Sequence, residues 1–350
     1  MLRYISSPEA EPFDSIALDV FARQYAENAA YRRWCDAIGL DPALVRTIEE
    51  IPAVPAAVFK ELDLVCGTPA VEFRTSGTTG PGQGRHLAPS LDSYRASALA
   101  HFRRCVLPEG WKMRALMLAP PPDLAPSSSL SRMLAWVLEE CAEPGSGWYV
   151  SAGGLERERL AGALLDAQHG GVPVLLAGTT AAFFAFLDYC DDGGLRIALP
   201  GGSRLMDTGG MKGCGIEALP SLGEFQAGFY RRVRETLGIP EARCVNEYGM
   251  TELFSQFYDA VLVDKDRPRV KIGPSWTRTF VIDPVTLEPA REGELGLLRH
   301  LDLANVGSVM AVLTEDLGRA SGDGFVLHGR PRGAEARGCG LAFQGLAESA

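Results

Sequence analysis

Residues 73–84 read FRTSGTTGPGQG, a loop built from glycines and hydroxyl side chains. Glycine has no Cβ to keep a ligand away from the backbone, and successive N–H groups in such a turn form a concavity that binds anions. A Walker P-loop would continue with Lys followed by Ser or Thr after its last glycine, and this loop does not. The stretch therefore predicts a polyphosphate-binding loop of another kind, although flexible linkers have a similar composition.

Composition excludes several classes of protein. The chain has 350 residues and a net charge of −10, so we do not expect nucleic acid as a partner, because that needs a basic surface. Eight scattered cysteines without a CxxC pair predict neither a zinc site nor a disulfide framework. The N-terminus lacks a signal-peptide pattern and no apolar run approaches the length of a membrane span, so we expect a cytoplasmic protein without a membrane span.

Apolar strand candidates alternate with helices after the loop, which predicts an α/β domain over residues 1–254 with a mostly parallel sheet. The strand candidates are residues 114–119, 172–177 and 195–199, and the helix candidates are residues 128–141 and 222–237. Short strand candidates separated by turns follow at residues 256–263, 278–282, 294–300, 308–313 and 324–328, which predicts a smaller β-rich subdomain over residues 255–330. Residues 331–350 are expected to form a short C-terminal tail that carries Cys339.

A second informative stretch, residues 246–252, reads NEYGMTE. Tyr248, ahead of a turn at Gly249, can stack on a purine. Thr251 can hydrogen-bond a phosphoryl or acyl oxygen, and Glu252 can hold Mg²⁺. The stretch by itself would be a turn before a helix, but together with the loop it indicates a nucleotide site that begins at Asn246.

Two further positions follow strand candidates near the C-terminus. Asp316 lies in LTEDLG and could accept hydrogen bonds from a ribose diol, and Arg330 could join it there. Each has a plain alternative, since Asp316 could be a turn carboxylate and Arg330 a surface cation.

These four segments, in this order, resemble the adenylate-forming ligases, which convert a carboxylate and ATP to an acyl-adenylate and pyrophosphate. Other stretches resemble the acyl-protein synthetases of bacterial bioluminescence, over about residues 10–341. They are YAENAAYRRWCDAIG, IPAVPAAVFKELDL, SSSLSRML, TGGMKG and GRPRGAEARGCGLA. The resemblance implies the large N-terminal domain of the ligase type with its β-rich subdomain, but no full C-terminal lid domain.

The resemblance also implies roles for individual residues. Tyr248 would lie against adenine, Thr251 at the α-phosphate and Glu252 at Mg²⁺, while Asp316 and Arg330 would bind the ribose. The residues implied to hold the ATP phosphates are Thr75, Ser76, Gly77, Thr78, Thr79 and Gly80.

Cys339 stands where this family has a cysteine that receives the acyl group before it passes to a reductase. The nearby Arg332 and Arg337 would lower the pKa of its thiol and raise the thiolate fraction. Most intracellular cysteines, however, are unreactive buried residues, and that alternative stays open.

Two departures from the larger ligases concern positive charge. The lysine that their C-terminal domain brings has no counterpart here, and Lys212 could supply that charge, although it could equally be a solvated turn lysine. Many of these enzymes have lysine near the end of the phosphate loop, where this chain has Gln83. Arg85 and His86 follow directly and could contact phosphate instead.

The leading hypothesis is an enzyme that activates a carboxylic acid, expected to be a fatty acid, with ATP and Mg²⁺. The acyl group would pass through a thioester at Cys339 to a partner protein, a reductase or carrier. A second hypothesis is a free-standing natural-product enzyme that passes an acyl or aryl group to an amine, a carrier protein or coenzyme A. A third is a catalytically degenerate scaffold that binds a nucleotide or an acyl-adenylate.

Overall fold

The computed structural model describes residues 1–75, 83–209 and 221–330. The chain divides into two compact units that interleave along the sequence. The first unit contains residues 1–100, 249–256 and the stretch from 273 onward, and the second contains residues 101–248 and 257–272. The predicted boundary at residue 254 does not coincide with this division, because a pattern along the chain cannot reveal where the chain returns to an earlier unit.

Helices and strands are numbered in chain order over the described residues. The helices are α1 (Leu2–Ser6), α2 (Phe13–Glu27), α3 (Ala29–Ala37), α4 (Asp92–Val106), α5 (Ser129–Cys141), α6 (Arg157–Gly170), α7 (Thr180–Asp192) and α8 (Leu222–Leu237). The strands are β1 (Val54–Pro55), β2 (Val71–Arg74), β3 (Arg85–Ala88), β4 (Arg114–Leu118), β5 (Gly147–Trp148), β6 (Val150–Ser151), β7 (Gly154–Leu155), β8 (Val174–Thr179), β9 (Arg204–Thr208), β10 (Cys244–Tyr248), β11 (Phe257–Asp259), β12 (Lys271–Ile272), β13 (Thr277–Ile282), β14 (Gly296–Asp302), β15 (Ala311–Ser321) and β16 (Gly324–Gly329).

The second unit is built on a sheet whose central part is parallel. The parallel strands follow the order β5, β4, β8, β9 and β10, and antiparallel β11 and β12 extend the sheet beyond β10. On one face, α6, α7 and α8 pack against the strands through an apolar cluster that includes Leu116, Leu164, Leu176, Phe183 and Phe229. The predicted strands at 114–119 and 172–177 are confirmed as β4 and β8, the latter displaced by two residues.

The ends of α8 match the predicted range of 222–237 because both capping residues can be recognised in the sequence. Ser221 accepts a hydrogen bond from the Glu224 N–H through its hydroxyl, as an N-cap residue does. Gly238 ends the helix in the left-handed region at φ 72°, where a Cβ would be strained.

The predicted strand at residues 195–199 is wrong, and the strand at this place in the sheet is β9. Residues 195–199 are an irregular connection whose Ile197 and Leu199 N–H groups donate to carbonyls near the end of α8. β9 contains Arg204 and Asp207, whose charges obscure the strand pattern. Both are fully or nearly fully buried, and Arg204 pairs with Glu109 at 2.8 Å.

The first unit contains the predicted β-rich part of the chain. β13, β14, β15 and β16 form an antiparallel sheet, and β1 pairs with β15 in parallel. The predicted strands at 278–282 and 324–328 correspond to β13 and β16 within one residue at each end. β2 and β3 form a separate two-stranded ladder that flanks the glycine-rich loop.

Candidate functional site

Two hydrogen bonds close the base of the glycine-rich loop in the first unit. Beyond the last ladder pair of β2 and β3, the Thr75 N–H donates to the Gly84 carbonyl at 3.0 Å. The Gly84 N–H donates in turn to Thr75 Oγ1 at 2.9 Å. A Cβ on Gly84 would lie 3.0 Å from Thr75 Cγ2 and 3.8 Å from Glu252 Oε1, so a side chain here would press on Thr75. The base of the loop therefore lies beside the Glu252 carboxylate.

Glu252 is a buried carboxylate that forms no ion pair with a described residue. Its side chain is 7% exposed, and burial raises the pKa of the carboxyl to about 7, with Arg330 opposing this shift and Asp316 adding to it. Within the described ranges, its hydrogen-bond donor is its own backbone N–H, and no cation lies within ion-pair distance. Because a buried charge is costly unless it is paired, this carboxylate suits a bound cation.

Mg²⁺ fits this arrangement. The described residues contain no group of three or more His, Cys, Asp or Glu side chains that could hold a metal by themselves. Mg²⁺ in nucleotide enzymes is usually held by one or two carboxylates together with the substrate's phosphates. A single buried carboxylate at the base of the glycine-rich loop fits that requirement, as the sequence predicts for Glu252.

Asp316 and Arg330, the two predicted ribose residues, are in contact with each other in the first unit. Arg330 Nε donates to Asp316 Oδ1 at 2.9 Å, and its NH1 group lies 3.3 Å from Glu315 Oε2. The Asp316 N–H donates to Thr314 Oγ1, which orients the strand at this point. Since Asp316 and Arg330 both act on the pKa of Glu252, the structure brings the three predicted residues into one neighbourhood.

The structure leaves Arg85 partly exposed and buries His86. Arg85 forms an ion pair with Asp63 at 2.7 Å. His86 is 1% exposed, with Nδ1 2.6 Å from the Thr251 carbonyl and Nε2 2.9 Å from Asn305 Oδ1. The expectation for His86 is wrong because its side chain is buried and bound to Thr251 and Asn305, contacts with distant segments that the loop sequence alone does not reveal.

Asp302 holds the backbone that follows Glu252. Its Oδ2 accepts hydrogen bonds from the Phe254 and Ser255 N–H groups, each at 2.8 Å. Its Oδ1 accepts from the Ser255 hydroxyl at 2.6 Å and from the Ala304 N–H at 3.0 Å. Sequence reasoning missed this residue, because nothing near it in the chain indicates that it serves a segment some fifty residues away.

Replacing Asp302 by Ala is expected to lower the free energy of unfolding by about 3 kcal/mol or more, since it leaves several buried donors unsatisfied. The measurement is urea unfolding followed by circular dichroism. Asp283→Ala is the matched control, because the partly exposed Asp283 also accepts two backbone N–H bonds, from Val285 and Thr286. Equal losses in the two variants would contradict the prediction.

The division between the two units falls inside the NEYGMTE stretch, so Tyr248 and Gly249 belong to different units. Tyr248 ends β10, is 8% exposed and lies in a tilted ring contact with Phe257 at 5.9 Å. Gly249 is exposed and Thr251 is half-buried. The predicted phosphate and metal residues, Thr251 and Glu252, therefore follow the end of a strand in the sequence, where α/β sheets bind ligands.

Asn246 lies in a buried polar network of the second unit. Its Nδ2 donates to Asp207 Oδ2 at 2.8 Å, and its Oδ1 accepts from Lys271 Nζ at 2.6 Å. Lys271 also donates to the Asn246 carbonyl and pairs with Asp259 at 2.8 Å. The Asn246 amide is thus occupied within its own unit, two residues before β10 ends at Tyr248.

Glu247, between two predicted site residues, is a second buried carboxyl that sequence reasoning missed. It is opposite Thr208 in the parallel ladder of β9 and β10, and the Thr208 hydroxyl donates to its carboxylate. Burial raises the pKa of Glu247 to about 7, although the Thr208 bond and Lys271 act in the other direction.

Glu247→Gln is expected to remove part of the pH dependence of folding. Since the pKa of Glu247 is higher in the folded protein, its contribution to stability is fully present below about pH 4.5 and is lost as the pH rises through about 7. The variant should match the wild type at pH 4.5 and exceed it at pH 8 by up to about 3 kcal/mol. Urea unfolding across this range tests it, with exposed Glu158→Gln as the control, and a constant difference at all pH values would contradict it.

The six cysteines that the structure describes are all buried and free. Burial raises the pKa of each thiol, for example to about 12 in Cys35 and Cys105 and to about 11 in Cys66 and Cys190. Such thiols are poor nucleophiles at neutral pH. An acyl-accepting cysteine is therefore not expected among these six.

Several predicted site residues lie outside the described residues. They are Ser76, Gly77, Thr78, Thr79 and Gly80 of the loop, Lys212, and Cys339. Thr75, at the edge of the loop, is described, and its side chain closes the loop base as reported above.

Comparison with protein families agrees with this geometry. The family model described as "Acyl-protein synthetase, LuxE" matches residues 4–346. The chain belongs to this family. A similar protein is the long-chain-fatty-acid–luciferin-component ligase of Aliivibrio fischeri. The two sequences are 23% identical over 311 residues, which are 87% of this chain and 78% of that protein. The predicted enzyme class, an AMP-forming acid ligase of the acyl-protein synthetase type, is thereby confirmed.

Solved structures of similar fold are adenylate-forming ligases, so the predicted fold class is also confirmed. An open conformation of 2-hydroxyisobutyryl-CoA ligase, in complex with 2-HIB-AMP and CoA, has a TM-score of 0.64 and 17% identity, with 91% of this chain and 72% of that one covered. ATP-bound MatB from Rhodopseudomonas palustris has a TM-score of 0.53 and 17% identity, with 75% of this chain covered. The match covers 48% of the length of MatB, so this acyl-protein synthetase family member spans about half of that chain.

The helices that the structure describes include no candidate for a membrane span. None of them is both long enough and apolar enough to cross a bilayer.

Proposed function

We propose that this protein uses ATP and Mg²⁺ to convert a carboxylic acid, in particular a fatty acid, to an acyl-adenylate with release of pyrophosphate. The acyl group then moves to Cys339 as a thioester and from there to a partner protein, a reductase or carrier. The A. fischeri relative, by its name a long-chain-fatty-acid ligase, supports the fatty-acid class.

The observation that carries the proposal is the placement of Glu252. Its buried carboxylate lies beside Gly84, at the closed base of a loop whose composition suits a polyphosphate. Arg330 and Asp316 act on the same carboxylate from the neighbouring strands. A cation site, an anion-binding loop and a polar pair suited to a ribose thus occur together in the first unit.

In the first step, the substrate carboxylate attacks the α-phosphorus of ATP, and the bond to pyrophosphate breaks. Glu252 would hold Mg²⁺, which when bound neutralises charge on the departing pyrophosphate. The loop N–H groups would bind the phosphates, and Thr251 would hydrogen-bond the α-phosphoryl group. Asp316 and Arg330 would bind the ribose, and Lys212 would supply a positive charge. Most of the rate would come from positioning and electrostatics, since these residues form no covalent bond to the nucleotide.

In the second step, the Cys339 thiolate attacks the carbonyl carbon of the mixed anhydride. A carbon–sulfur bond forms, and AMP leaves with the electrons of the broken carbon–oxygen bond. Two observations support Cys339 as the acceptor. The six described cysteines have thiol pKa values raised by burial, and in the sequence Cys339 lies between glycines and near Arg337.

ATP–pyrophosphate exchange tests the first step. Purified protein with Mg²⁺ would be assayed against long-chain, short-chain and aromatic acids, and we expect exchange to be fastest with the long-chain fatty acids. Faster exchange with an aromatic or short-chain acid would retain adenylation but overturn the fatty-acid class. ATP binding without exchange across the whole panel would overturn the proposal in favour of a nucleotide-binding scaffold.

A further inference from the structure

His86 is a buried imidazole that links the strand after the loop to the segment that carries Glu252. It lies on β3, two residues after Gly84, and its ring packs 4.7 Å from Phe254 and 5.8 Å from Phe59. These aromatic neighbours restrict the ring to one orientation. The steps proposed for adenylation and acyl transfer do not involve this side chain.

The ring is in contact with Thr251, which is proposed to act on the α-phosphate. Its Nδ1 lies 2.6 Å from the Thr251 carbonyl oxygen. Burial lowers the pKa of His86 to about 4, although its contacts with Thr251 and Asn305 oppose this shift. A carbonyl oxygen can only accept a hydrogen bond, so Nδ1 carries a proton and donates to Thr251. The other nitrogen, Nε2, faces Asn305 Oδ1 at 2.9 Å.

Asn305 also binds the segment that carries Glu252. Its Nδ2 donates to the Glu252 carbonyl at 2.9 Å and to the Val309 carbonyl at 2.7 Å. These two bonds determine the orientation of the amide and place Oδ1 against His86. The carbonyls of two consecutive residues, Thr251 and Glu252, are therefore bound by two side chains that touch each other.

Asn305 is itself fixed by α2. Gln24 Nε2 donates to the Asn305 carbonyl at 3.0 Å, and Gln24 Oε1 accepts from the Met310 N–H at 3.0 Å. Gln24 is completely buried, so water does not compete for these bonds. The pair of His86 and Asn305 thus has a rigid support within the first unit.

We infer that His86 is a positioning residue that holds Thr251 and Glu252 in register with the base of the phosphate loop. The inference rests on the proposed function and adds a residue to it. His86 follows Gly84 of the loop base by two residues, so its bond to Thr251 sets the distance from the loop to the Glu252 carboxylate. Residues that support a metal ligand in this way typically change metal affinity or activity about 10- to 100-fold when replaced.

Substitutions at position 86 can separate this role from simple packing. Asn presents an amide N–H near the Nδ1 position and can keep the bond to Thr251, whereas Gln presents its amide near Nε2 and loses that bond. Leu fills space and makes neither contact. His300→Gln is the matched control, because His300 is an equally buried histidine of the same unit, 2.9 Å from Thr279 Oγ1 on β13.

The experiment measures exchange rate, the apparent constant for Mg²⁺·ATP and the urea midpoint in all four variants. We expect His86→Gln and His86→Leu to lower kcat and weaken Mg²⁺·ATP, each by about 10-fold or more. His86→Asn should stay within about 3-fold of the wild type. His300→Gln should lose stability with little change in either kinetic parameter.

A second readout needs no ligand. Hydrogen–deuterium exchange of the free protein should quicken in residues 249–256 of His86→Gln, while strands β13 and β14 keep the wild-type rate. A uniform increase over the whole first unit would indicate packing alone and overturn the inference.

The outcomes separate this inference from the function on which it rests. An active wild type whose His86→Gln variant keeps its kcat and Mg²⁺·ATP constant overturns the positioning role alone. A wild type that neither exchanges pyrophosphate nor binds Mg²⁺·ATP overturns the proposed function and this role with it. Loss of activity in His300→Gln equal to that in His86→Gln would also overturn the positioning role.

Discussion

Glu252→Gln is expected to reduce ATP–pyrophosphate exchange by about 10²- to 10³-fold, the range for losing one electrostatic contact to developing charge. The amide has the shape of the carboxylate but lacks the charge that would hold Mg²⁺. The folded protein should survive the change, because the carboxyl is buried and its pKa is already raised to about 7. The assay is exchange at saturating acid over a series of Mg²⁺ concentrations.

Glu294→Gln, an exposed carboxylate before β14, is the control for loss of one negative charge in the same unit. Circular dichroism and urea unfolding would establish that both variants are folded. Exchange by Glu252→Gln within a few-fold of the wild type, with the same Mg²⁺ dependence, would show that Glu252 is not the metal residue.

Cys339→Ser is expected to keep pyrophosphate exchange and to lose acyl transfer. Exchange requires only the first step, in which the cysteine takes no part. Transfer requires a thiolate, and a serine hydroxyl without an adjacent base is a far weaker nucleophile at neutral pH. The protein would be incubated with ATP, Mg²⁺ and a radiolabelled fatty acid, and the label that stays on the protein and is released by hydroxylamine would be counted.

Cys214→Ser is the matched control, since Cys214 also lies outside the described residues. If Cys339→Ser retained the label and Cys214→Ser lost it, the thioester would form on Cys214 instead. A wild type that takes up no label but acylates an added amine, carrier protein or coenzyme A would favour the free-standing natural-product enzyme instead.

Prediction from sequence succeeded where the signal is local. The caps of α8, Ser221 and Gly238, are adjacent to the helix they delimit, and the apolar runs of β4 and β8 need no distant partner to be recognised. It failed at β9, where Arg204 and Asp207 hide a buried strand, because their charges are compensated by residues far away in the chain. Burial of a polar residue depends on its partner, and a sequence pattern does not show that partner.

The residues of the candidate site also differ in whether the sequence could predict them. The loop, Glu252, Asp316 and Arg330 could be proposed from residue types and order, and the described ones among them do lie together. The importance of His86, Asn305 and Asp302 could not be predicted, because these side chains form hydrogen bonds to backbone groups of distant segments. A backbone carbonyl or N–H has no residue type, so sequence offers no sign of which side chain will bind it.

The sequence by itself determined the family and with it the class of chemistry, because its glycine and hydroxyl loop, its NEYGMTE stretch and their order are typical of an adenylate-forming ligase. Only the tertiary structure decided the environment of each group. It buried Glu252 beside the loop base without an ion pair to a described residue, occupied the Asn246 amide with Lys271 and Asp207, and turned His86 inward onto Thr251. The physical reason is that residue type specifies which bonds a side chain can make, whereas burial and neighbours from distant parts of the chain specify which it does make.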